Sequence, residues 1–513
     1  MFLSKSAGVL TVLTLAVGIV AAQDSIPRYR TFISDTTLPG IDTGIRNNDA
    51  PRPPRPSASD LVSRSSGERY LRGSIAVKFR PGTASASQRL MVARVGATTM
   101  EAPSYADFQI VTIDAQADPE AAAATLAQQP DVEFAQARYR IHPMFVPNDP
   151  LYSQQWNYTT IDMEHAWDLN PGATPSIVVA VLDSGVAYRN AVLRRNVPSW
   201  RGPVGFTIAT FPALGVVDIP FAAAPDLVGP NRFVAPRDFI WDDTDPLDLD
   251  GHGTHVAGTI GQLTNNSLGV AGMAFNVRIM PVKVIDSMWD DILGSPFEGT
   301  DDVVARGVHY AVDNGAKVLN LSIGRAGPPA PLLQEAIVYA TSHGAFVSMA
   351  AGNDFEDGNP TQWPAAYAPS IQGAVAVGAI GRDRQRAYYS STGPYVELVA
   401  PGGNQRIGGT TAGILQQTYD FAFVDTFIFG PARYGPPRFD IFSYQFLQGT
   451  SMSTPHVSGF AALLMQQGIT SPGAIEAAME QFATDLGAPG VDQQYGYGLI
   501  NPRASLRGLG LAK

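Results

Sequence analysis

The chain is 513 residues long, with 45% hydrophobic and 16% charged residues. That is enough apolar material for a large packed core and excludes wholesale disorder. The net charge of −11 argues against a nucleic-acid binder. The absence of cysteine rules out disulfides, thiolate nucleophiles, Cys-ligated zinc and iron–sulfur clusters. The charge is unevenly spread: residues 24–100 hold 12 Lys/Arg against 6 Asp/Glu, and residues 101–513 carry a net −18. A basic front part and an acidic main part attract one another.

Residues 1–22 have the layout of a secretory signal peptide. Lys5 precedes an apolar run from Ala7 to Val20, and Val20-Ala21-Ala22 supplies the small residues of a cleavage site. The run is shorter than the ~20 residues of a membrane span, so the mature protein is expected to be secreted, extracellular or periplasmic, without membrane attachment. Residues 23–72 read as a Pro/Arg-rich linker without structure, because Pro51, Pro53, Pro54 and Pro56 alternate with Arg52 and Arg55.

Residues 73–145 predict a small α+β domain. Ser74 to Phe79 alternates like a half-buried strand, Ser85 to Val95 has helical spacing, and Phe108 to Thr112 is a second strand. An Ala-rich helix starts at Asp118-Pro119, and Val132 to Tyr139 returns to strand. From residue 146 to the end, short β-branched runs alternate with helical stretches. The strands are Ser176–Leu182, Val282–Ile285, Lys317–Ser322, Phe346–Met349 and Ala374–Val377; the helices include Asp301–Asn314 and Pro331–His343. This rhythm predicts an α/β domain with a parallel sheet buried on both faces, whose chemistry gathers beyond the carboxyl ends of the strands. Two stretches rich in Pro, Gly and aromatics, 194–236 and 403–445, read as loop insertions.

Four motifs carry chemistry. Asp183 ends the first buried strand, where an unpartnered carboxylate costs several kcal/mol. His252 lies among small residues in Gly251-His252-Gly253-Thr254-His255; the His-Glu-x-x-His zinc pattern is absent, so His252 is a candidate base and His255 a packing residue. Ser451, in Gly449-Thr450-Ser451-Met452-Ser453-Thr454-Pro455, is expected just before a helix whose first turn holds Pro455 and whose free N–H groups favour an oxyanion. Asn353 follows a strand in Ala351-Gly352-Asn353 and can donate to such an oxyanion. Each also has an ordinary structural role: turn former, packed ring, helix cap or Asx-turn. Only together do they outweigh it.

Taken together, Val181-Leu182-Asp183-Ser184-Gly185, His252-Gly253-Thr254-His255-Val256-Ala257-Gly258, Leu321-Ser322-Ile323-Gly324, Ala351-Gly352-Asn353 and Gly449-Thr450-Ser451-Met452-Ser453-Thr454-Pro455-His456 resemble the subtilisin-like serine proteases over residues 147–505. The resemblance implies a seven-stranded parallel sheet flanked by helices, and a serine endopeptidase made as a self-processing precursor. Residues 73–142 then resemble the family's inhibitory propeptide. It implies a triad of Asp183, His252 and Ser451, with Asn353 in the oxyanion hole. Ser322, Ile323 and Gly324 would form one wall of the substrate pocket and Ala351 and Gly352 the other. Gln362 falls where relatives often carry a small residue, so the pocket is expected to be short and to favour smaller or polar side chains.

The implied partners are protein or peptide substrates and the chain's own propeptide, the mature enzyme being a monomer without an organic cofactor. Thr264 to Val270 resembles the family's calcium-binding loop, implying Thr264, Asn266, Leu268 and Val270 as ligands. The family's Asp ligand would fall at an apolar position near Val192, which weakens that site. Asp242, Asp243, Asp245 and Asp248 form either a second calcium site or a solvated acidic loop.

Overall fold

The computed structural model describes residues 61–63, 69–139, 145–204 and 207–508. The expected signal peptide and the expected linker up to residue 60 lie outside the described residues.

In the first domain the long strand Arg69–Phe79 pairs antiparallel with Gln109–Thr112 on one side and Val132–Tyr139 on the other. Thr99–Glu101 extends the sheet beyond Gln109–Thr112. Helices Ser85–Ala93 and Pro119–Ala127 complete the α+β domain, and Ile75, Val77, Val111 and Leu126 are fully buried at its centre. Asp118 caps the second helix by accepting from Glu120 N at 2.9 Å, with Pro119 in the first turn. One boundary differs from expectation. Leu61–Ser63 pairs with the start of the long strand, Leu61 opposite Leu71, so strand extends into a stretch expected to be linker. These short segments alternate too briefly to be read alone, and their pairing partner decides them.

The larger domain is built on seven parallel strands in the order Arg237–Asp238, Arg278–Lys283, Val178–Asp183, Val318–Leu321, Phe346–Ala350, Ala374–Ile380 and Leu398–Pro401. Val178–Asp183 is buried at every position, which is why it is written in β-branched and small residues rather than in alternation. The second strand begins earlier than the expected Val282–Ile285. Pro281, opposite Val181 in the register, breaks the strand signal in sequence because it donates no ladder hydrogen bond. Arg237–Asp238 and Leu398–Pro401, two and four residues long, are too short to signal themselves. Helices His252–Gly261 and Thr450–Gln466 pack on one another and on the sheet, as do Asp301–Asp313 and Pro331–Ser342. No helix among the described residues is long and apolar enough to cross a membrane.

The two insertions are ribbons, not loops. Ala191–Val197 pairs with Gly215–Phe221 and Trp200–Val204 with Thr207–Phe211, while Ile414–Tyr419 pairs with Phe442–Leu447. They bury their aromatic residues against each other: Phe221 stacks on Phe439 at 4.7 Å, and Trp200, stacked on Phe211, donates to Tyr434 Oη at 3.0 Å.

Lys283, at the end of the strand beside Asp183, is wholly buried with Asp290, its Nζ 2.8 and 2.9 Å from the two carboxylate oxygens. Removing one partner strands the other charge, which costs about 3–5 kcal/mol. Denaturant unfolding of Lys283→Ala should show a loss of that size, and Lys283→Met combined with Asp290→Leu should lose much less than the two single changes added together.

Candidate active site

The carboxyl ends of the central strands open on a cleft of about 430 Å³. Asp183 ends its strand, Ser322-Ile323-Gly324 follows Val318–Leu321, and Ala351-Gly352-Asn353 follows Phe346–Ala350. His252 is the first residue of its helix, after Gly251 at φ 108°. Ser451 is the second residue of Thr450–Gln466, one position inside the helix rather than before it. Of the residues singled out in the sequence, His252, Ser322, Ile323, Gly324, Gly352, Asn353, Gln362 and Ser451 line this cleft; Asp183 is buried against His252, and Ala351 is buried between the lining residues Ala350 and Gly352.

Asp183 is fully buried and its Oδ1 lies 2.7 Å from His252 Nδ1, while Ser184 N donates to the same oxygen at 2.8 Å. The histidine helix reaches this turn only because residue 253 has no side chain: a Cβ on Gly253 would sit 2.1 Å from the Gly185 carbonyl oxygen. Asp248 holds the two segments together. Its buried carboxylate accepts from Ser184 Oγ at 2.9 Å, Gly251 N at 2.8 Å and Thr254 N at 2.9 Å, and Gly253 N donates to Ser184 Oγ at 3.0 Å. Burial pulls the His252 pKa down, but Asp183, with Asp250 and Asp248 behind it, outweighs burial and raises it above 6.5. His255 is buried, with Nε2 3.1 Å from the Ile414 and Gln445 carbonyl oxygens of the second ribbon, and burial pushes its pKa down to about 3.

Ser451 Oγ donates to the Ser322 carbonyl at 3.0 Å, and Ser322 Oγ donates to the Ser451 carbonyl at 2.8 Å. The second contact has a cause in the sequence. Pro455 is the sixth residue of the helix, not in its first turn; lacking an N–H, it leaves the carbonyl four residues back, that of Ser451, free to accept from outside the helix. Asn320 Nδ2 donates to Ser322 Oγ at 2.9 Å, and Ser458 Oγ to Asn320 Oδ1 at 2.8 Å, anchoring the contact in the core. Asn353 Oδ1 accepts from Thr450 N at 2.9 Å and Thr450 Oγ1 at 3.0 Å, which turns the amide so that Nδ2 is its outward group. A Cβ on Gly449 would lie 3.6 Å from both Asn353 Nδ2 and Ser451 N, so the two nitrogens lie close to one another beside the serine.

Gln362 is only 3% exposed, and its Nε2 donates to Asp354 Oδ2 at 2.8 Å. A Cβ on Gly352 would come within 2.3 Å of Gln362 Cγ; the bare Cα of the glycine makes room for the glutamine beneath the cleft.

The expected calcium loop finds its missing carboxylate elsewhere. Val192 is 67% exposed on the ribbon, and the acid facing the loop is Asp226, about thirty residues further on, which accepts from Asn266 Nδ2 at 2.8 Å and Val270 N at 3.0 Å. Asp149 joins it, accepting from Asn265 N at 2.7 Å. Burial raises the Asp226 pKa to about 6 and also raises that of Asp149. Neither acid has a Lys or Arg partner among the described residues. Two buried carboxylates and the Asn266 side chain thus meet at the 264–270 loop, and hard oxygen groups are the ligands calcium takes. The 194–236 insertion hid Asp226 from the sequence; the Asn148-Asp149-Pro150 stretch and an acid inside the insertion, just after its ribbon ends at Phe221, are what to look for.

The second expected set does not come together. Asp242 turns to Arg237, Asp245 to Arg189 and Tyr188, Asp243 caps Asp245 N at 2.7 Å, and Asp248 is spent on the active-site turn. Each carboxylate has a nearer partner than a shared cation.

Comparisons with known proteins agree with this geometry. The profile of the Subtilase family matches residues 174–498, and that of the fervidolysin N-terminal prodomain matches residues 56–137. The chain is 30% identical over 454 residues to the thermophilic serine proteinase of Bacillus sp. (strain AK1), covering 88% of this chain and 91% of that protein. It is 32% identical to thermitase of Thermoactinomyces vulgaris over 67% of this chain and 94% of that protein. Among solved structures, a protease from Pseudoalteromonas arctica superposes with a TM-score of 0.52 at 28% identity, over 71% of this chain and 99% of that one. The chain belongs to the subtilase family. It is a serine endopeptidase preceded by a prodomain, and that prodomain begins before residue 73, as the strand pairing of Leu61–Ser63 also indicates.

An imidazole must be neutral to accept a proton, and a raised pKa moves that condition to higher pH. The rising limb of kcat/KM against pH should therefore lie above 6.5 and be governed by His252. Asp250→Asn, which removes one of the acids facing the ring, should move the limb to lower pH; an unmoved limb would contradict this electrostatic account.

Proposed function

We propose that the protein is a secreted, self-processing endopeptidase that works through Asp183, His252 and Ser451. The observation that carries this reading is the Asp183–His252 contact at 2.7 Å, with His252 lining one cleft together with Ser451 and Asn353. Ser451 Oγ leaves the Ser322 carbonyl, gives its proton to His252 Nε2 and attacks the scissile carbonyl. The C–O bond forms as the carbonyl becomes an oxyanion, held by Asn353 Nδ2 and Ser451 N. Removing one such donor generally costs about 10²–10³ in turnover. His252 then passes the proton to the leaving amine, the C–N bond breaks, and water repeats the sequence on the acyl-enzyme. Asp183 holds the ring tautomer and stabilises the imidazolium.

Substrate lies extended along Ser322-Ile323-Gly324, pairing through its main chain, which makes recognition broad. Gln362 shortens the pocket below. The residues that would hold a structural calcium are Asp149, Asp226 and Asn266, with the carbonyls of Thr264, Leu268 and Val270. The ion would supply positive charge to two acids that burial otherwise disfavours as anions. It would also tie the start of the mature domain to the insertion.

Intact mass of the native chain and of Ser451→Ala, expressed in parallel, tests self-processing. The native form should lose about its first 140 residues while the variant keeps its prodomain; identical trimming of both would mean that another protease matures it. Chelation should lower the melting temperature of the native protein. Asp226→Ala should abolish the calcium-dependent part of that shift, because an ion that binds only the folded state stabilises it in proportion to ln[Ca²⁺] at high occupancy.

A further inference from the structure

Apart from His252, every ionisable side chain lining the cleft is an acid: Asp250, Asp286 and Asp354, with no Lys or Arg among the lining residues. The ion pairs of the described residues engage other carboxylates. Each of the three commits one oxygen locally. Asp250 Oδ1 accepts from His252 N at 3.0 Å, Asp286 Oδ1 from Gly299 N at 2.7 Å and Asp354 Oδ2 from Gln362 Nε2 at 2.8 Å. The second oxygen of each has no described hydrogen bond. Acids of one sign along low-dielectric walls focus a negative potential into the space between them.

Asp354 is the residue after Asn353, on the pocket side of the serine. The pocket leading to it is walled by backbone and small side chains at Ser322, Gly324, Ala350 and Gly352, the surroundings that suit an aliphatic stem. The buried Gln362 amide, also among the lining residues, spends its N–H groups on Asp354 and on the Pro360 carbonyl at 3.2 Å, which leaves it only an acceptor oxygen. A short pocket with small walls, bordered by an acid that keeps one oxygen free, is complementary to a side chain whose aliphatic stem lies along those walls and whose terminal cation meets the acid.

We propose that this cleft selects substrates with Lys or Arg immediately before the scissile bond. Asp354 is the counter-charge, and Asp250 and Asp286 favour further cationic residues nearby. The inference rests on the endopeptidase reading above; it keeps the polar half of the preference expected from Gln362 and replaces the preference for small side chains with one for basic ones.

The test uses the purified mature enzyme, casein, and four chromogenic peptide anilides that differ only in ending with Lys, Arg, Phe or Glu. Lys and Arg should exceed Phe in kcat/KM by about tenfold or more, with Glu slowest, and the advantage should shrink as salt rises from about 0.05 to about 0.5 M. Asp354→Asn should lower the Lys-to-Phe ratio about tenfold, and Asp286→Asn should weaken its salt dependence. Phe cleaved as well as Lys, or a ratio unchanged in Asp354→Asn, overturns the proposal. Should Asp354→Asn fail to fold, the native Lys-to-Phe ratio and its salt dependence decide by themselves. Casein digested without a basic preference overturns this proposal alone; casein left intact overturns the endopeptidase reading as well.

Discussion

A carboxylate buried at the end of a central strand needs donors that replace the water it has lost. Asp183 meets that condition with one main-chain N–H and one imidazole N–H, both on Oδ1; Oδ2 is buried without a hydrogen bond among the described residues. The imidazole is therefore the partner the acid most needs. Its position is held by backbone rather than by side-chain adjustment. The glycine contact at Gly253 and the five donors collected by Asp248 fasten the helix start to the strand end. A second buried acid thus organises the first, and the ring between them inherits a raised affinity for protons.

The serine side of the cleft is built on a different device. A proline inside a helix usually costs a hydrogen bond and about 3 kcal/mol or more. Here the lost bond is replaced by Ser322 Oγ, which is itself held by Asn320, and Asn320 in turn by Ser458. The helix defect and the substrate wall are therefore one connected structure, and the carbonyl of the serine is fixed by the strand that substrate would pair with. Asn353 is set by the same helix through Thr450, so both donors beside Ser451 are oriented by groups that do not react.

The insertions lie outside this frame but are tied into it. The second ribbon hydrogen-bonds His255 on the histidine helix, and the segment after the first delivers Asp226 to the 264–270 loop. Their aromatic contacts bury each against the other, which explains why stretches rich in Pro, Gly and aromatics are ordered rather than loose.

The sequence by itself determined the elements whose signal is local. These are the β-branched run ending at Asp183, the Asp118-Pro119 helix start, the glycines around His252, and the linear motifs that hold Asn353 and Ser451. Each records a constraint between near neighbours: burial on both faces, a cap, or a close approach. Tertiary structure alone decided what depended on residues far apart. Asp226 replaced the acid sought near Val192 because an insertion shifts position in the chain without shifting position in space. Asp248 left a supposed cation cage to bind the active-site turn, because nearby main-chain donors satisfy a buried carboxylate better than three mutually repelling acids do. Pro281 sits in a strand because pairing on one side, opposite Val181, holds it there, while the edge strand on the other side pairs only with Val282 and Lys283 and so asks no N–H of it. Spacing along the chain cannot report such pairings; only the folded arrangement brings donor and acceptor within reach.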